Sequence, residues 1–397
     1  MKPNVYLTPT LDPIENEVLR LIDGLREDLR YRVAQPRRWI GTLRKMAFAR
    51  AVQGSNSIEG YNASLDDVAA AVEDEPTLDA SQETQFALAG YRDAMTYVLQ
   101  IADDEDATID EGMIKALHFM MLRHDLAKSP GRWRPGYIGV RDEGTGEIVY
   151  EGPSADSIPG LIDSMLQALA DDTPTLVKAA MAHLNLVMIH PFRDGNGRMA
   201  RCLQTLVIAR GRIDAPVLSS VEEYLGRNTR AYYDVLGEVG QGAWRPENNA
   251  RPWIRFMLTA HYRQAKTHLR RIEEIERLYS ECSELASRQS LADRCAAGLS
   301  EVALGLRLRR TSYMSVVKTS TGEEISELTA TRDLQAMVRA GLLTPRGETR
   351  GRYYVAAPST LGLQEAIRAS RPPQAEYDPF VLAASELQLS LDARPDR

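Results

Sequence analysis

Residues 190–201 read His190-Pro191-Phe192-Arg193-Asp194-Gly195-Asn196-Gly197-Arg198-Met199-Ala200-Arg201. Within twelve positions they hold a general base, a carboxylate able to hold a metal, a Gly-Asn-Gly turn and two arginines three residues apart. The stretch before them, Leu176 to Ile189, is helical in pattern, with Thr173 and Pro174 at the N-cap and first-turn positions. After them, Met199, Leu203, Leu206 and Val207 recur at i, i+4, i+7 and i+8. The twelve residues are therefore read as a tight loop between two helices, with Gly-Asn-Gly at the amino end of the second. Unpaired backbone N–H groups and the helix macrodipole attract anions there, and glycine lets the backbone approach a phosphate closely. Arg198 and Arg201 project from one helix face. The chemistry implied is phosphate binding beside a histidine. A zinc site is disfavoured, because His118, His124, His183, His261 and His268 show no i, i+4 pairing and no Cys-x-x-Cys partner. No Gly-Lys-Ser/Thr phosphate loop is present.

This run resembles the motif HPFx[D/E]GNGRxxR of the Fic family, enzymes that transfer AMP to protein hydroxyls, and every fixed position is matched. The resemblance implies a role for each residue. His190 would deprotonate the target hydroxyl. Asp194 would hold Mg²⁺ against the phosphates of ATP. Asn196 and the amides of Gly195 and Gly197 would cradle the α- and β-phosphates. Arg198 and Arg201 would engage the β- and γ-phosphates through their guanidinium forks. Phe192 would point into the core and fix the loop, with Pro191 setting its turn.

A second motif, Ser55-Asn56-Ser57-Ile58-Glu59-Gly60, follows a helix-like stretch from about Arg38 to Val52 and is closed by Gly60. A glutamate in a helix's last turn opposes the dipole and favours a cationic partner elsewhere. By spacing alone, a capping box from Asn56 to Glu59 or a solvated glutamate fits equally well. The segment is also similar to the family's inhibitory motif [S/T]xxxE[G/N], which implies that Glu59 pairs with Arg201 and keeps it from orienting the γ-phosphate.

Around the motif, Tyr137–Arg141 and Glu147–Glu151 read as two strands joined at Glu143-Gly144-Thr145-Gly146. They resemble the family's flap, a hairpin whose free edge holds the target segment beside the catalytic histidine. Downstream, Glu223-Tyr224, Asn228, Tyr232, Tyr233 and Trp253-Ile254-Arg255-Phe256 resemble the closing helices, in which Asn228 and a nearby tyrosine would line the adenine pocket.

Length and composition agree with an ordinary globular protein of two or three domains: 397 residues, 44% hydrophobic, net charge −7. That balance argues against wholesale nucleic-acid binding. Cys202, Cys282 and Cys295 form no pattern, as in a reducing compartment. The start Met1-Lys2-Pro3-Asn4-Val5 carries no signal core and no stretch reaches membrane length, so a cytoplasmic protein without membrane contact is expected.

From Pro252 to about Gln289 a long amphipathic helix reads as a bridge. Beyond it, a recognition-type helix opened by Thr329 and a hairpin from Thr344 to Val355 look like a winged-helix module. Residues 288–371 hold 13 basic and 8 acidic side chains, which favours phosphate contacts. From Arg371, with Pro372-Pro373 and Pro379, the tail reads as poorly ordered or weakly helical.

The fold expected is mainly α: a Fic-type helical core with a β-hairpin flap and a C-terminal winged-helix domain. The layout expected is an N-terminal helical region with the inhibitory motif (1–110), the catalytic core (111–257), a linker helix (258–290), the winged helix (291–371) and a tail (372–397). The function implied is a protein adenylyltransferase restrained by Glu59, with Mg²⁺ as cofactor and ATP and a protein hydroxyl, its own included, as partners. DNA at the winged helix and a second copy of the chain are further candidate partners. Two alternatives stay open: a winged-helix regulator using the core as a nucleotide sensor, and the reverse reaction, AMP removal. A phosphotransferase is disfavoured, since such relatives resemble a variant with lysine where Gly197 stands.

Overall fold

The computed structural model describes residues 4–142, 144–211, 218–348, 351–371 and 378–392. Four helices open the chain: α1 (Pro13–Ala34), α2 (Ile40–Ile58), α3 (Leu65–Val72) and α4 (Gln82–Gln100). α1 begins at a capping box, in which the Glu15 N–H donates to Asp12 Oδ1 and the Asp12 N–H to Glu15 Oε2. α5 (Glu111–Leu122) leads to an antiparallel hairpin of β1 (Gly139–Arg141) and β2 (Ile148–Glu151), then α6 (Ile158–Ala168). α7 (Thr175–Ile189) and α8 (Asn196–Arg210) flank the motif loop, followed by α9 (Glu222–Arg227), α10 (Thr229–Gly240) and the long α11 (Arg251–Arg288). The C-terminal part runs α12 (Cys295–Ala303), α13 (Arg310–Thr321), α14 (Glu327–Arg339), β3 (Leu343–Arg346), β4 (Tyr353–Ala356), α15 (Pro358–Ala369) and α16 (Pro379–Asp392). The protein is mainly helical, with two small hairpins.

Two apolar cores hold these elements. The first surrounds α7, whose Val177, Ala180, Leu184 and Ile189 are all buried. A helix buried on nearly every side belongs at the centre of a bundle; α8, α6 and α11 pack against it, and α4 and α5 pack on α8. The second core joins the C-terminal half of α11 to α12–α15 through Ile275, Leu278, Leu299, Val317 and Met337. It also takes in Leu29 and Val33 of α1 and Leu43 of α2. The N-terminal helices thus pack against both ends of the molecule.

Several element boundaries differ from the sequence expectation. α7 starts at Thr175 with Pro174 at the N-cap, one residue later than the Thr173–Pro174 pattern suggested. α14 is opened by Ser326, whose Oγ accepts from the Thr329 N–H, so Thr329 lies inside the first turn. Residues 379–392 of the tail form α16 rather than a loose extension: Ala383 is buried, Phe380 packs beneath the Arg255 guanidinium, and Glu386 pairs with Arg20 of α1. Pro372-Pro373 and Glu143 lie outside the described residues. No helix among those described is long and apolar enough to cross a membrane.

Candidate active site

The motif loop leaves α7 at His190, which adopts a left-handed conformation at φ 50° and ψ 57°. Only a tightly determined surrounding holds a non-glycine residue there. Arg134 supplies much of it. This buried side chain donates from Nε to the His190 carbonyl at 2.8 Å and from Nη2 to the Pro153 carbonyl at 2.6 Å, and the Arg134 backbone N–H donates to the Pro191 carbonyl at 2.8 Å. One guanidinium therefore ties the loop to the base of the β1–β2 hairpin. A second tie is Tyr150 of β2, whose hydroxyl donates to the Met188 carbonyl at 2.6 Å.

The imidazole of His190 donates from Nδ1 to the Val187 carbonyl at 3.2 Å. A carbonyl can only accept, so the proton sits on Nδ1 and the lone pair on Nε2. Burial, reinforced by the Arg134 charge and only partly offset by Val187, Glu59 and Asp194, lowers the His190 pKa to about 4. The ring is neutral at pH 7 and can accept a proton at Nε2.

Phe192 is fully buried and stacks on His118 with ring centroids 3.6 Å apart and planes 3° apart. His118 accepts the Gly131 N–H at Nδ1 and donates from Nε2 to the Asp194 carbonyl, both at 2.9 Å. Its pKa also falls to about 4, chiefly through burial. It serves as a neutral hydrogen-bonding spacer beneath the loop. Asn196 crosses the turn, accepting the Phe192 N–H at 2.9 Å and donating to the Phe192 carbonyl at 3.0 Å. Its side chain is committed to holding the loop, which differs from the expected side-chain contact with phosphate. What remains for an anion is the backbone: the N–H groups of a helix's first turn have no partner within the helix. Gly195, at φ 74°, makes the left-handed turn that starts α8, and a Cβ there would meet Leu122 at 2.9 Å.

Asp194 accepts the Gly195 N–H at 2.6 Å and pairs through Oδ2 with Lys128 at 2.8 Å. Partial burial alone would raise its pKa, but Lys128, Arg198 and the Gly195 N–H outweigh this and hold the carboxyl below its ordinary value. It is ionised and partly open to solvent. One carboxylate completed by substrate phosphates is the usual protein share of an Mg²⁺ site, so the residue fits that ion.

Arg198 and Arg201 are each about 1% exposed. Arg198 lies over the Tyr61 ring at 5.0 Å, and its Nε and Nη1 are buried without a hydrogen-bond partner. Leaving such donors unpaired costs free energy, which an incoming polyanion would recover. Arg201 is held by α2: Nε donates to Ser55 Oγ at 2.8 Å, and Nη2 donates to the Ser55 carbonyl at 2.9 Å and to Glu59 Oε1 at 2.6 Å. Its Nη1 is left without a partner. Burial by itself would lower the Arg201 pKa, yet the adjoining Glu59 carboxylate raises it above the ordinary value.

α2 can place these groups because it runs on to Ile58, past the clear pattern that ends near Val52, with Glu59 at its C-cap and Gly60, the stop expected from the sequence, at φ 82°. The alternative capping box from Asn56 does not form: Asn56 Nδ2 donates to the Val52 carbonyl inside the helix. α2 also approaches α9 closely. A Cβ on Gly54 would lie 2.4 Å from the Glu222 carbonyl oxygen, and one on Gly226 2.7 Å from Gly54. Gly197 serves the same fit within the site, since its Cβ would lie 2.3 Å from Glu59 Oε1.

The structure thus brings His190, Asp194, Gly195, Asn196, Gly197, Arg198, Arg201 and Glu59 around one cleft. Asn228 sits between α9 and α10, where its Nδ2 donates to the Tyr224 carbonyl at 2.8 Å. Sequence reasoning missed His118, Lys128 and Arg134 as parts of the site. No local pattern marks the first two. Arg134 stood in the flap's lead-in, where an arginine reads as solvated. The outer edge of β1 carries no strand partner among the described residues, whereas β2 meets the 242–244 segment through the Glu151 N–H to Gly242 and the Trp244 N–H to Glu151.

Comparison with known proteins agrees with this geometry. Residues 108–208 match the model of the Fic/DOC family. The chain is 25% identical over 268 residues to the protein adenylyltransferase Fic of Nematostella vectensis, covering 66% of this chain and 58% of that protein. It is 26% identical over 246 residues to protein adenylyltransferase fic-1 of Caenorhabditis elegans, covering 60% and 45%. The chain thus spans about half the length of the curated relatives it matches. Its fold is similar to that of a Fic family protein from Desulfovibrio desulfuricans G20, with a TM-score of 0.56 at 23% identity over 89% of this chain and 99% of that one. Residues 108–208, which end inside α8 after the whole motif loop, thus match the Fic/DOC family model, and the chain carries a Fic/DOC-like domain there.

Proposed function

We propose that the protein is an adenylyltransferase that moves AMP from ATP to a hydroxyl of a protein, and that Glu59 restrains it by holding Arg201. The observation that carries this reading is the pair of buried guanidiniums with unpartnered N–H groups at the amino end of α8, beside a neutral imidazole. The roles follow from that arrangement. Arg198 and the first-turn N–H groups of α8 bind the phosphates. His190 Nε2 takes the proton of the target hydroxyl. The freed oxygen attacks the α-phosphorus, the bond from that phosphorus to the bridging oxygen breaks, and pyrophosphate leaves. Asp194 would hold Mg²⁺, which supplies charge neutralisation for the departing phosphates when bound. Phe192, His118 and Asn196 keep the loop rigid, and Arg134 fixes the His190 backbone. With Arg201 drawn toward Ser55 and Glu59, the γ-phosphate lacks its ligand and ATP sits unproductively.

The test uses the Glu59→Gly protein and its Glu59→Gly/His190→Ala derivative with Mg²⁺ and ATP labelled on either the α- or the γ-phosphate. The reading requires protein-bound label from α-labelled ATP alone, lost by about 10² to 10⁴ in rate without His190. Label arriving from the γ-position, or surviving undiminished without His190, would overturn it.

The C-terminal elements α12 to β4 extend the proposal. Their order, with α14 preceding the β3–β4 hairpin, fits a winged helix, and Arg339, Arg346 and Arg352 border one cavity between α14 and the hairpin. That basic border favours contact with DNA phosphates. The three buried free cysteines fit a reducing, cytoplasmic setting.

A further inference from the structure

On the far side of α2 from the catalytic loop, a cavity of about 290 Å³ lies between α2, α9, α11 and α15. Six arginines line it: Arg50, Arg227, Arg270, Arg271, Arg368 and Arg371. Two carboxylates answer them. Glu223 is shared by Arg271 at 2.6 Å, Arg227 at 2.7 Å and Arg50 at 3.9 Å. Glu274 is shared by Arg371 at 2.6 Å and Arg270 at 3.7 Å. Among the described residues, six guanidiniums face two carboxylates, a positive excess in a partly enclosed space, where charges are poorly screened.

Arg50, one of the two least exposed of the six, shows the strain of this arrangement. Arg50 is largely buried, and its Nε has no hydrogen-bond partner. Its pKa is lowered to about 10 by burial, with Arg271, Arg227 and Arg368 adding repulsion that Glu223 only partly offsets. An ion-pair network built only for stability would match its charges, because an uncompensated buried charge is costly. Arginine is also the side chain that binds phosphate through two parallel hydrogen bonds. The cavity floor is apolar, with Leu43, Met46 and Ile275.

We propose that this cavity is a second ligand site, separate from the catalytic cleft, that binds a small anion carrying two or more phosphate groups. The volume is near the lower end for organic ligands. The side chains of Arg50 and Arg271 are only 17% and 16% exposed. They lie too deep for the phosphates of a nucleic-acid duplex, whereas a compact polyphosphate reaches them. This site does not depend on the adenylyltransferase reading.

The test is calorimetric titration of the full chain with inorganic tripolyphosphate at physiological salt. Tripolyphosphate can also enter the catalytic cleft, so Arg198→Ala reports that contribution. Arg368→Gln, at an exposed position with little risk to folding, and Arg50→Gln report the cavity. Arg230→Gln, on an exposed helix face elsewhere, is the control. The expected result is a binding component that survives Arg198→Ala and Arg230→Gln but weakens at least tenfold in both Arg368→Gln and Arg50→Gln. Binding abolished by Arg198→Ala and untouched by Arg368→Gln would overturn the proposal, leaving only the catalytic cleft. Equal weakening by Arg230→Gln would overturn it as diffuse surface attraction. A DNA duplex that displaces tripolyphosphate from the cavity component would overturn the choice of a small ligand.

Discussion

Replacing Glu59 by glycine tests the contact between α2 and α8 most directly. In the structure Glu59 Oε1 accepts from Arg201 Nη2 at 2.6 Å, with the arginine fully buried and the carboxylate about 25% exposed. A hydrogen bond to a charged group contributes about 1.5–3 kcal/mol, and each 1.36 kcal/mol is tenfold in rate. If that contact is what withholds Arg201 from the γ-phosphate, Glu59→Gly raises AMP transfer roughly ten- to a hundredfold. Ser55 still holds Nε after the change, so Arg201 stays ordered and ready to turn its free N–H groups toward substrate. Glu59→Gln keeps the shape and a hydrogen bond from the charged guanidinium but removes the attraction between opposite charges, so its activation should be intermediate. Arg201→Ala breaks the same contact while removing the phosphate ligand, and should not activate. The assay is incorporation of label from α-labelled ATP at saturating ATP and Mg²⁺, with thermal unfolding to confirm that each variant is folded. Unchanged transfer in a folded Glu59→Gly protein would refute the reasoning, and equal activation by Arg201→Ala would reduce Arg201 to a tether.

Three further outcomes are expected. Lys128→Met frees Asp194 Oδ2 from its 2.8 Å ion pair, so the Mg²⁺ concentration for half-maximal transfer should fall about tenfold, while Asp194→Ala should abolish the Mg²⁺ response. Activity and stability should part with pH. His190 has a pKa near 4, so kcat/KM attributable to it stays flat from about pH 5 upward. His118 (about 4) and His183, His261 and His268 (each about 3) are held neutral by burial. Below the unfolded value of 6.5 the unfolded chain takes up protons that the native state refuses. Stability is therefore full above pH 6.5 and falls toward pH 3–4, by about 1.4 kcal/mol per pH unit for each histidine, which urea midpoints at pH 7.5 and 5.5 would register. Gly54→Ala places a methyl 2.4 Å from the Glu222 carbonyl oxygen and should cost about 1–3 kcal/mol of overpacking strain; a urea midpoint equal to that of the parent protein would show that α2 and α9 separate freely.

What the sequence disclosed about the site was what is local. The loop and its two flanking helices lie within one short segment, where residue type and helical period suffice. Glu59 lies 142 positions from Arg201, and only the resemblance to a family motif joined them. Lys128 and His118 were not legible at all, because their partnership with Asp194 arises from folding α5 and the turn after it against the head of α8. Asn196 was legible as part of the turn but not in its role: the unpaired N–H and carbonyl of Phe192 claim its amide. α2 reaches the stop expected at Gly60 although its clear pattern ends near Val52, and the reason is physical. Gln53-Gly54-Ser55-Asn56 is a weak helix former by propensity, yet Gly54, Ser55 and Asn56 are buried against neighbouring elements, and tertiary packing carries the helix through them. α16 was legible only as a poorly ordered or weakly helical tail, because its helix is justified by what it covers on α1 and α11.

If Glu59 restrains the protein as proposed, the membership of α2 in both cores limits how it could be switched on. Leu43 and Ala47 pack with the C-terminal helices, while Met46, Ala49, Val52 and Ile58 pack around α7. An inhibitor on a detachable arm can be cut away or swung out, leaving an intact enzyme. Here excision of α2 would open two apolar interiors at once, so proteolytic release would not relieve the proposed restraint and leave an intact protein. The helix is also locked in phase. Deleting one residue between Leu43 and Ser55 would turn everything after it by about 100°, carrying Glu59 off the face that meets Arg201. If Glu59 restrains the site as proposed, relief would come from displacement of its side chain or its cap, within a helix that itself stays in place.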